Sequence, residues 1–368
     1  MNIFILAGEP SGDEYGAQLM KELTAINPNI VFSGIGGNLM EKQRLKSMAP
    51  FQKMSVMGFV EIIKNLFFFI NLEKKILQVL QTNPPDKIIL IDYPGFNLRL
   101  CQKIKSKINT QIIYYISPQI WAWKEKRIEI IKKYVDQMIV IFEFEKKWYN
   151  RKKIEVNYVG HPFLDIWKPN KNLDSLALKY KIDMNKPILT LFPGSRHQEI
   201  NKHLNLFIQS ALKIKKSIPE LQILLGLHPD IKLKQKIDKQ ITVINDTPLK
   251  ALEIATAAIV SSGTATLQSA IMNTPAVVVY KMNFISWWLT QKLVQVKFAS
   301  MTNIIAEKLV FPELLQNDAN VNNISNQMIE MINNTNYRTK LMNQIKLIQQ
   351  KVGSSGASIK AAQYIENI

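Results

Sequence analysis

Four places in this chain end an apolar run abruptly in small or charged residues and then enter a helical pattern. Each offers groups that can do chemistry. The first, "FILAGEPSGDEYG", turns through Gly8, Glu9, Pro10, Ser11, Gly12 and Asp13. Glycine lets a backbone turn tightly and lets a ligand approach it closely, and free N–H groups at a helix start attract an anion. Ser11 or Asp13 can equally cap that helix with no ligand at all. No Gly-Lys-Ser/Thr follows, so this is not an ATP-type phosphate loop. The second, "IDYPGFNLRL", puts Asp92 at the end of a strand. There a carboxylate faces the ligand crevice of an α/β sheet and can take a proton from a hydroxyl. Its competing role is to cap the helix that starts near Phe96. The third, "LFPGSRHQEI", carries Gly194, Ser195 and Arg196, and an arginine beside helix N-terminal amides clamps a diphosphate. The fourth, "VSSGTATLQSA", repeats the device at Ser262, Gly263 and Thr264. Either turn alone can be a plain entry to a helix; two in one domain suit a nucleoside diphosphate.

A fifth stretch, "SPQIWAWKEKR", sets Trp121 and Trp123 beside Ser117, a proline and a group of bases. Aromatic faces with cations nearby bind sugars and lipid headgroups, although either tryptophan alone can belong to a core. Metal chemistry has no sequence support. Histidines 161, 197, 203 and 228 show no HxH or HExxH spacing and no Asp-x-Asp pair exists, so the expectation is no metal and no cofactor.

The elements that must hold these turns are legible as apolar runs alternating with helical patterns. "NIFILAG", "KIILID", "QIIYYIS", "QMIVIFEF" and "NYVGHP" are strand candidates of a first half. A polar stretch at 168–187 follows as an interdomain link. The alternation then restarts in "ILTLFPGS", "LQILLGL", "ITVIN", "AAIVSSG" and "PAVVVY". Unalternated apolar strands joined by helices mean parallel sheets covered on both faces. The reading is two doubly wound, Rossmann-like α/β domains, with helical patterns closing the chain at 323–335, 337–351 and 355–366.

With 368 residues, 47% of them hydrophobic, the chain has material for two cores. Lys and Arg number 47 against 29 Asp and Glu, a net charge of +18. That balance points to an anionic membrane surface, an acidic substrate or nucleic acid. The lysines are scattered and form no arginine-rich stripe, so the charge can equally be a plain lysine-rich composition, and the scarcity of arginine argues against nucleic acid. The single Cys101 allows no internal disulfide and fits a reducing compartment. No stretch reaches the roughly 18–20 apolar residues of a membrane span. A cytoplasmic protein is expected. "MGFVEIIKNLFFFINLEKKI", with Phe59, Leu66, Phe67, Phe68 and Phe69 among lysines, reads either as an interfacial helix on an anionic membrane or as a core helix. "FISWWLTQKLVQVKF" is a weaker candidate for the same surface.

Taken in order from residue 7 to residue 316, "AGEPSGD", "VMGFVEI", "IDYPGFN", "SPQIWAWKEKR", "FEKKWY", "VGHPF", "PGSRHQEI", "SGTATLQSA", "VVVYKMN" and "ELLQ" resemble the lipid-A-disaccharide synthase family of inverting GT-B glycosyltransferases. The resemblance implies two domains facing a cleft: 1–168 for the acceptor and the membrane, 169–345 for the UDP-sugar, and 346–368 returning to the first. It implies transfer of 2,3-diacylglucosamine from UDP-2,3-diacylglucosamine to 2,3-diacylglucosamine 1-phosphate (lipid X), giving the β-1,6 disaccharide and UDP. Asp92 matches the family's candidate base. Gly194, Ser195, Arg196 and the amides at Ser262, Gly263 and Thr264 match the diphosphate site. Glu313 and Gln316 match the end of the nucleotide site, with Asn303 and Tyr280 as neighbours. Glu9, Ser11, Gly12 and Asp13, with Ser117, Trp121 and Trp123, would face acceptor or transferred sugar. The enzyme would work on the cytoplasmic face of the inner membrane in lipid A biosynthesis. Some members carry a second acid where this chain has Gly95, so only Asp92 is carried over, and His197 is given no role.

Three rivals differ in what they require. Another GT-B enzyme, such as the N-acetylglucosaminyltransferase of peptidoglycan synthesis or a UDP-N-acetylglucosamine 2-epimerase, shares the Ser-Gly-Thr turn and lacks the paired tryptophans. A nucleic-acid-binding protein needs clustered arginines. A non-catalytic nucleotide-sugar sensor leaves Asp92 without a chemical task.

Overall fold

The computed structural model describes every residue except 55–65, 170–172, 195–196, 228–230, 232, 234–235, 284–286, 289–291 and 368. The chain divides into two compact units, Met1–Lys168 with Val352–Ile368, and Pro169–Lys351.

In the first unit β1 (Asn2–Ala7), β2 (Val31–Ile35), β3 (Lys46–Ser47), β4 (Lys87–Ile91), β5 (Gln111–Tyr115), β6 (Gln137–Val140) and β7 (Asn157–Tyr158) form one sheet in the order β3-β2-β1-β4-β5-β6-β7. All neighbours are parallel. Every residue of β4 is buried, as a parallel strand covered on both faces requires. Helix Leu66–Thr82 turns Phe69, Leu72, Ile76, Leu77 and Leu80 inward. Glu73 lies in that buried stripe and is held by Arg99 Nε at 2.7 Å and by Lys103, both on helix Pro94–Lys105. The last helix, Ala357–Glu366, is part of this unit: Asp165 accepts from the Gly356 and Ser358 amides, and Lys87 Nζ donates to the Ile365 carbonyl.

In the second unit β8 (Ile188–Phe192), β9 (Gln222–Gly226), β10 (Ile241–Ile244), β11 (Ala257–Ser261), β12 (Ala276–Tyr280) and β13 (Glu313–Leu315) pair in parallel in the order β10-β9-β8-β11-β12-β13. In both sheets the chain walks outward to one edge, returns beside its first strand and walks out the other way. The reversal falls between β1 and β4, and between β8 and β11. Crevices for ligands open at such points, beyond the carboxyl ends of the strands.

Some expected bounds are corrected. "QMIVIFEF" is a strand only to Val140. Glu143 already opens helix Glu143–Arg151, because the Glu145 carboxylate reaches back to the Ile141 and Phe142 amides at 3.3 and 3.2 Å. "NYVGHP" contributes only Asn157–Tyr158 as strand.

Candidate active site

The β1–β4 register pairs Ala7 with Ile91, so the turn entered at Gly8 lies beside the turn entered at Asp92. Asp92 and Tyr93 are both left-handed, with φ of 44° and 48°. Each such non-glycine residue costs on the order of 1–3 kcal/mol, and surroundings must hold it there. They do. The Asp92 N–H donates to Tyr115 O at 3.0 Å, and its carbonyl accepts from Asn97 Nδ2 at 2.8 Å and from the Tyr114 hydroxyl. Tyr93 donates its hydroxyl to Met54 O at 2.8 Å, and its ring lies on Gly8. A Cβ at Gly8 would stand 2.5 Å from that ring, so only glycine fits. A half-buried carboxylate is thereby presented from a strained, braced turn at the reversal point of the sheet.

In the neighbouring turn the helix begins at Pro10, with Glu9 as an extended N-cap. Neither Ser11 nor Asp13 caps it. Asp13 is buried, and its Oδ1 accepts from the amides of Gly37 (2.8 Å) and Met40 (3.0 Å) while Oδ2 accepts from Leu39 (3.1 Å). The expected sugar contact at Asp13 is therefore corrected: it caps helix Asn38–Lys42 and ties two βα turns together. Gly12 is a packing glycine, because a Cβ there would meet the Ala7 Cβ at 3.3 Å. Glu9 and Ser11 stay half-buried at the turn. Burial, with the Asp13 charge beside it, raises the Glu14 carboxyl.

The tryptophan motif splits. Ser117 is buried, its hydroxyl directed at Pro118 O (3.1 Å) and shared with Tyr149 Oη (2.9 Å). Trp121 is buried edge-on to Phe144 and donates Nε1 to Glu145 at 3.1 Å. Burial pushes the Glu145 carboxyl up to about 7 against these hydrogen bonds. Ser117 and Trp121 are thus corrected from ligand contacts to core. Trp123 alone remains half-exposed, with Lys124 Nζ 4.5 Å and the Arg127 guanidinium 5.8 Å from its ring centroid.

The apolar helix splits similarly. Leu66 is exposed and Phe67 is 80% exposed, whereas Phe69 is buried against Phe96 and is corrected from membrane contact to core. Phe68 is half-buried, with Lys53 Nζ 5.8 Å from its ring. Phe59 lies outside the described residues.

In the second unit the turns after β8 and β11 stand side by side, since Phe192 pairs with Val260. Gly194 has φ 122°, and the Glu199 carboxylate closes over it, 2.3 Å from where a Cβ would be. Ser195 and Arg196 lie outside the described residues. Gly263 has φ 132° and ψ −151°, a region essentially reserved for glycine, and nothing lies within 4 Å of where its Cβ would be. Gly263 and Thr264 are exposed at the start of helix Thr264–Ile271, while Ser262 Oγ donates to Ala299 O at 2.8 Å.

Of the other expected nucleotide contacts, Asn303 is wholly buried. Its Oδ1 accepts from Val310 and Phe311 amides at 2.8 Å, and its Nδ2 donates to Phe311 O and Glu313. It is corrected to a structural brace. Glu313 holds the amides of Ala299 and Ser300, each at 2.9 Å, and Gln316 Oε1 accepts from Met282 N at 2.8 Å. Both remain half-buried at the sheet's edge. Tyr280 is half-buried with its ring 5.6 Å from that of His203.

His203 belongs to none of the metal-ligand spacings, yet it has a structural task. It is fully buried, its Nε2 accepts from Lys281 N at 3.0 Å and its Nδ1 faces Pro193 O at 3.3 Å. An acceptor Nε2 requires the neutral Nδ1–H form, and burial lowers its pKa accordingly. The ring therefore braces the turn after β8 against the end of β12. Its position beside Ile200, Leu204 and Phe207 on the buried helix face was the available signal. Among the described residues, no group of three or more His, Cys, Asp or Glu side chains stands together to hold a metal.

Comparison with known proteins extends this geometry. A family model described as lipid-A-disaccharide synthetase matches residues 3–367. A lipid-A-disaccharide synthase of Coxiella burnetii is 35% identical over 370 residues, covering 100% of this chain and 98% of that one. Lipid-A-disaccharide synthase 1 of Legionella pneumophila is 37% identical over 362 residues, covering 96% and 94%. Among solved structures, the UDP-GlcNAc 2-epimerase of Neisseria meningitidis bound to UDP-GlcNAc matches with a TM-score of 0.67 over 100% of both chains. At 13% identity that last likeness is one of fold.

Proposed function

This chain belongs to the lipid-A-disaccharide synthase family, and from that premise we propose how its residues divide the work of the family's reaction. The enzyme is a GT-B glycosyltransferase that moves 2,3-diacylglucosamine from its UDP derivative to 2,3-diacylglucosamine 1-phosphate, with UDP and the β-1,6 disaccharide as products. Asp92 takes the proton of the acceptor 6-hydroxyl as that oxygen attacks the anomeric carbon. The bond to the diphosphate breaks on the opposite face, through an oxocarbenium-like transition state. Arg196, Ser195, Gly194 and the amides at Gly263 and Thr264 receive the charge left on UDP. Glu313, Gln316 and Tyr280 border the nucleotide, and Glu9 and Ser11 border the sugar.

The observation that carries this reading is the Asp92–Tyr93 turn. Two left-handed residues braced by Tyr115, Asn97, Tyr114 and Met54 are a costly way to end a strand unless the carboxylate they present is used. Exposed Leu66 and Phe67, together with the +18 charge, support a second part of the proposal. The enzyme rests on an anionic inner-membrane surface and draws both acylated substrates from it. No helix among the described residues is long and apolar enough to cross a membrane.

Turnover of the two lipids in detergent tests the assignment of Asp92. Asp92→Asn should lower kcat by about 10²–10⁴-fold with KM values little changed. A variant within tenfold of the unmutated enzyme places the base elsewhere. An unmutated enzyme that binds UDP but does not turn over this pair removes the acceptor assignment.

A further inference from the structure

Two cations gathered at the Trp123 ring have no acid to answer them among the described residues. Lys124 and Arg127 both approach the Trp123 ring. The acids next to them in sequence are taken, Glu125 by Lys152 and Glu129 by Lys132, and among the described residues neither Lys124 nor Arg127 has a carboxylate partner. Their surroundings disfavour positive charge: burial lowers the pKa of each, and for Lys124 the Arg127 charge adds to it. Lys124 is also left-handed, with φ 58°. Burial raises the Tyr114 hydroxyl and the Arg127 charge opposes that rise, while the same hydroxyl donates to the Asp92 carbonyl. A half-buried guanidinium and an exposed ammonium on one indole ring, with no acid between them, make an arrangement that an anion completes.

We propose that Lys124 and Arg127, on the Trp123 face, form a phosphomonoester site that takes the 1-phosphate of the acceptor. This rests on the reaction proposed above. The donor's diphosphate already has its own turns in the second unit, whereas the acceptor's phosphate needs a separate anchor. Holding the phosphate at C1 leaves the far end of the sugar, with its 6-hydroxyl, to reach Asp92. The same site disfavours an acceptor lacking the phosphate, because the half-buried Arg127 guanidinium is then left without an anion. A planar guanidinium gives a phosphate two parallel N–H donors, and the Arg127 guanidinium stands 5.8 Å from the Trp123 ring centroid.

The test compares 2,3-diacylglucosamine 1-phosphate with 2,3-diacylglucosamine lacking the phosphate, as acceptors for the full-length enzyme in detergent. Lys124→Met and Arg127→Met should each lower kcat/KM for the phosphorylated acceptor by about tenfold or more, through KM. They should leave the phosphate-free acceptor within about twofold, so the preference collapses. Arg127→Lys should recover part of it. Equal losses on both acceptors make the residues structural and overturn the proposal. A raised KM for the UDP donor assigns them to the diphosphate instead. Lost binding to anionic vesicles with the preference intact makes the partner a bulk lipid headgroup. Exposed Lys124 carries the test alone if Arg127→Met fails to fold. Inactivity of the unmutated enzyme on the lipid pair would sink the reaction and this site together, whereas turnover with an unaltered preference in both variants sinks only the site.

Discussion

Asp13 offers a sharp contrast between a ligand contact and a brace. Its carboxylate serves three amides, of which Gly37 and Met40 are buried and Leu39 is exposed. Asp13→Ala strands the two buried donors, at about 1–3 kcal/mol each, while water can reach Leu39. The expected loss is about 2–6 kcal/mol. Asp13→Asn keeps one oxygen for Gly37 and Met40 but turns an NH₂ toward Leu39, and should cost about half as much. For a unit of this size, each kcal/mol lowers Tm by about 2–4 °C. Asp13→Ala should therefore melt about 10 °C early by calorimetry, with Asp13→Asn between it and the unmutated chain. Gly37 approaches from the other side, where a Cβ would stand 2.6 Å from Asp13 Oδ2. Gly37→Ala should destabilise the unmutated chain and add little to Asp13→Ala, a non-additivity expected of direct neighbours. If Asp13→Ala melts within 1 °C of the unmutated chain yet loses turnover, the bracing argument is wrong and Asp13 meets the sugar after all.

Two further outcomes follow from burial. The Glu145 carboxyl is pushed up from 4.5 to about 7, so the folded chain retains a proton that the unfolded chain has released. Stability from this group is thus greatest below pH 4.5, falls as pH rises toward 7, and stays lower above it. The full difference is on the order of 3 kcal/mol, and Glu145→Gln should flatten the fall of Tm between pH 5 and 8 relative to the unmutated chain. An unchanged slope would mean Glu145 is ionised throughout. For the membrane, Phe67→Ser should weaken flotation with anionic vesicles by about tenfold or more at constant Tm, given about 1.5–3 kcal/mol for burying a phenylalanine. Phe69→Ser should instead unfold the first unit; equal flotation by Phe67→Ser and the unmutated chain would remove this helix from the membrane surface.

The two sheets are readable in the chain because strands buried on both faces appear as unbroken apolar runs, "KIILI" in β4 and "AVVVY" in β12 among them. The short edges are not: β3 and β7 are two residues each, too brief for any period. The run "QMIVIFEF" overstates its strand because apolarity continues past Val140 through a turn that Glu145 closes. Positions at the reversal points are equally readable, since a glycine or aspartate directly after such a run must sit at the carboxyl edge of a sheet. What the chain conceals is which polar side chain there is already occupied. Aspartate, asparagine and glutamine that bind a ligand are the same residue types that satisfy backbone amides, and the amides they choose can be far away in sequence: Asp13 reaches residues 37–40, and Gln316 reaches Met282. Phe69 was separable from Phe67 in principle, because 69, 72, 73, 76, 77 and 80 make one helical stripe. The tryptophans were not. Trp121 and Trp123 differ only in what the fold brings to them: Glu145 takes the indole N–H of one into the core, and two unanswered cations keep the other at the surface.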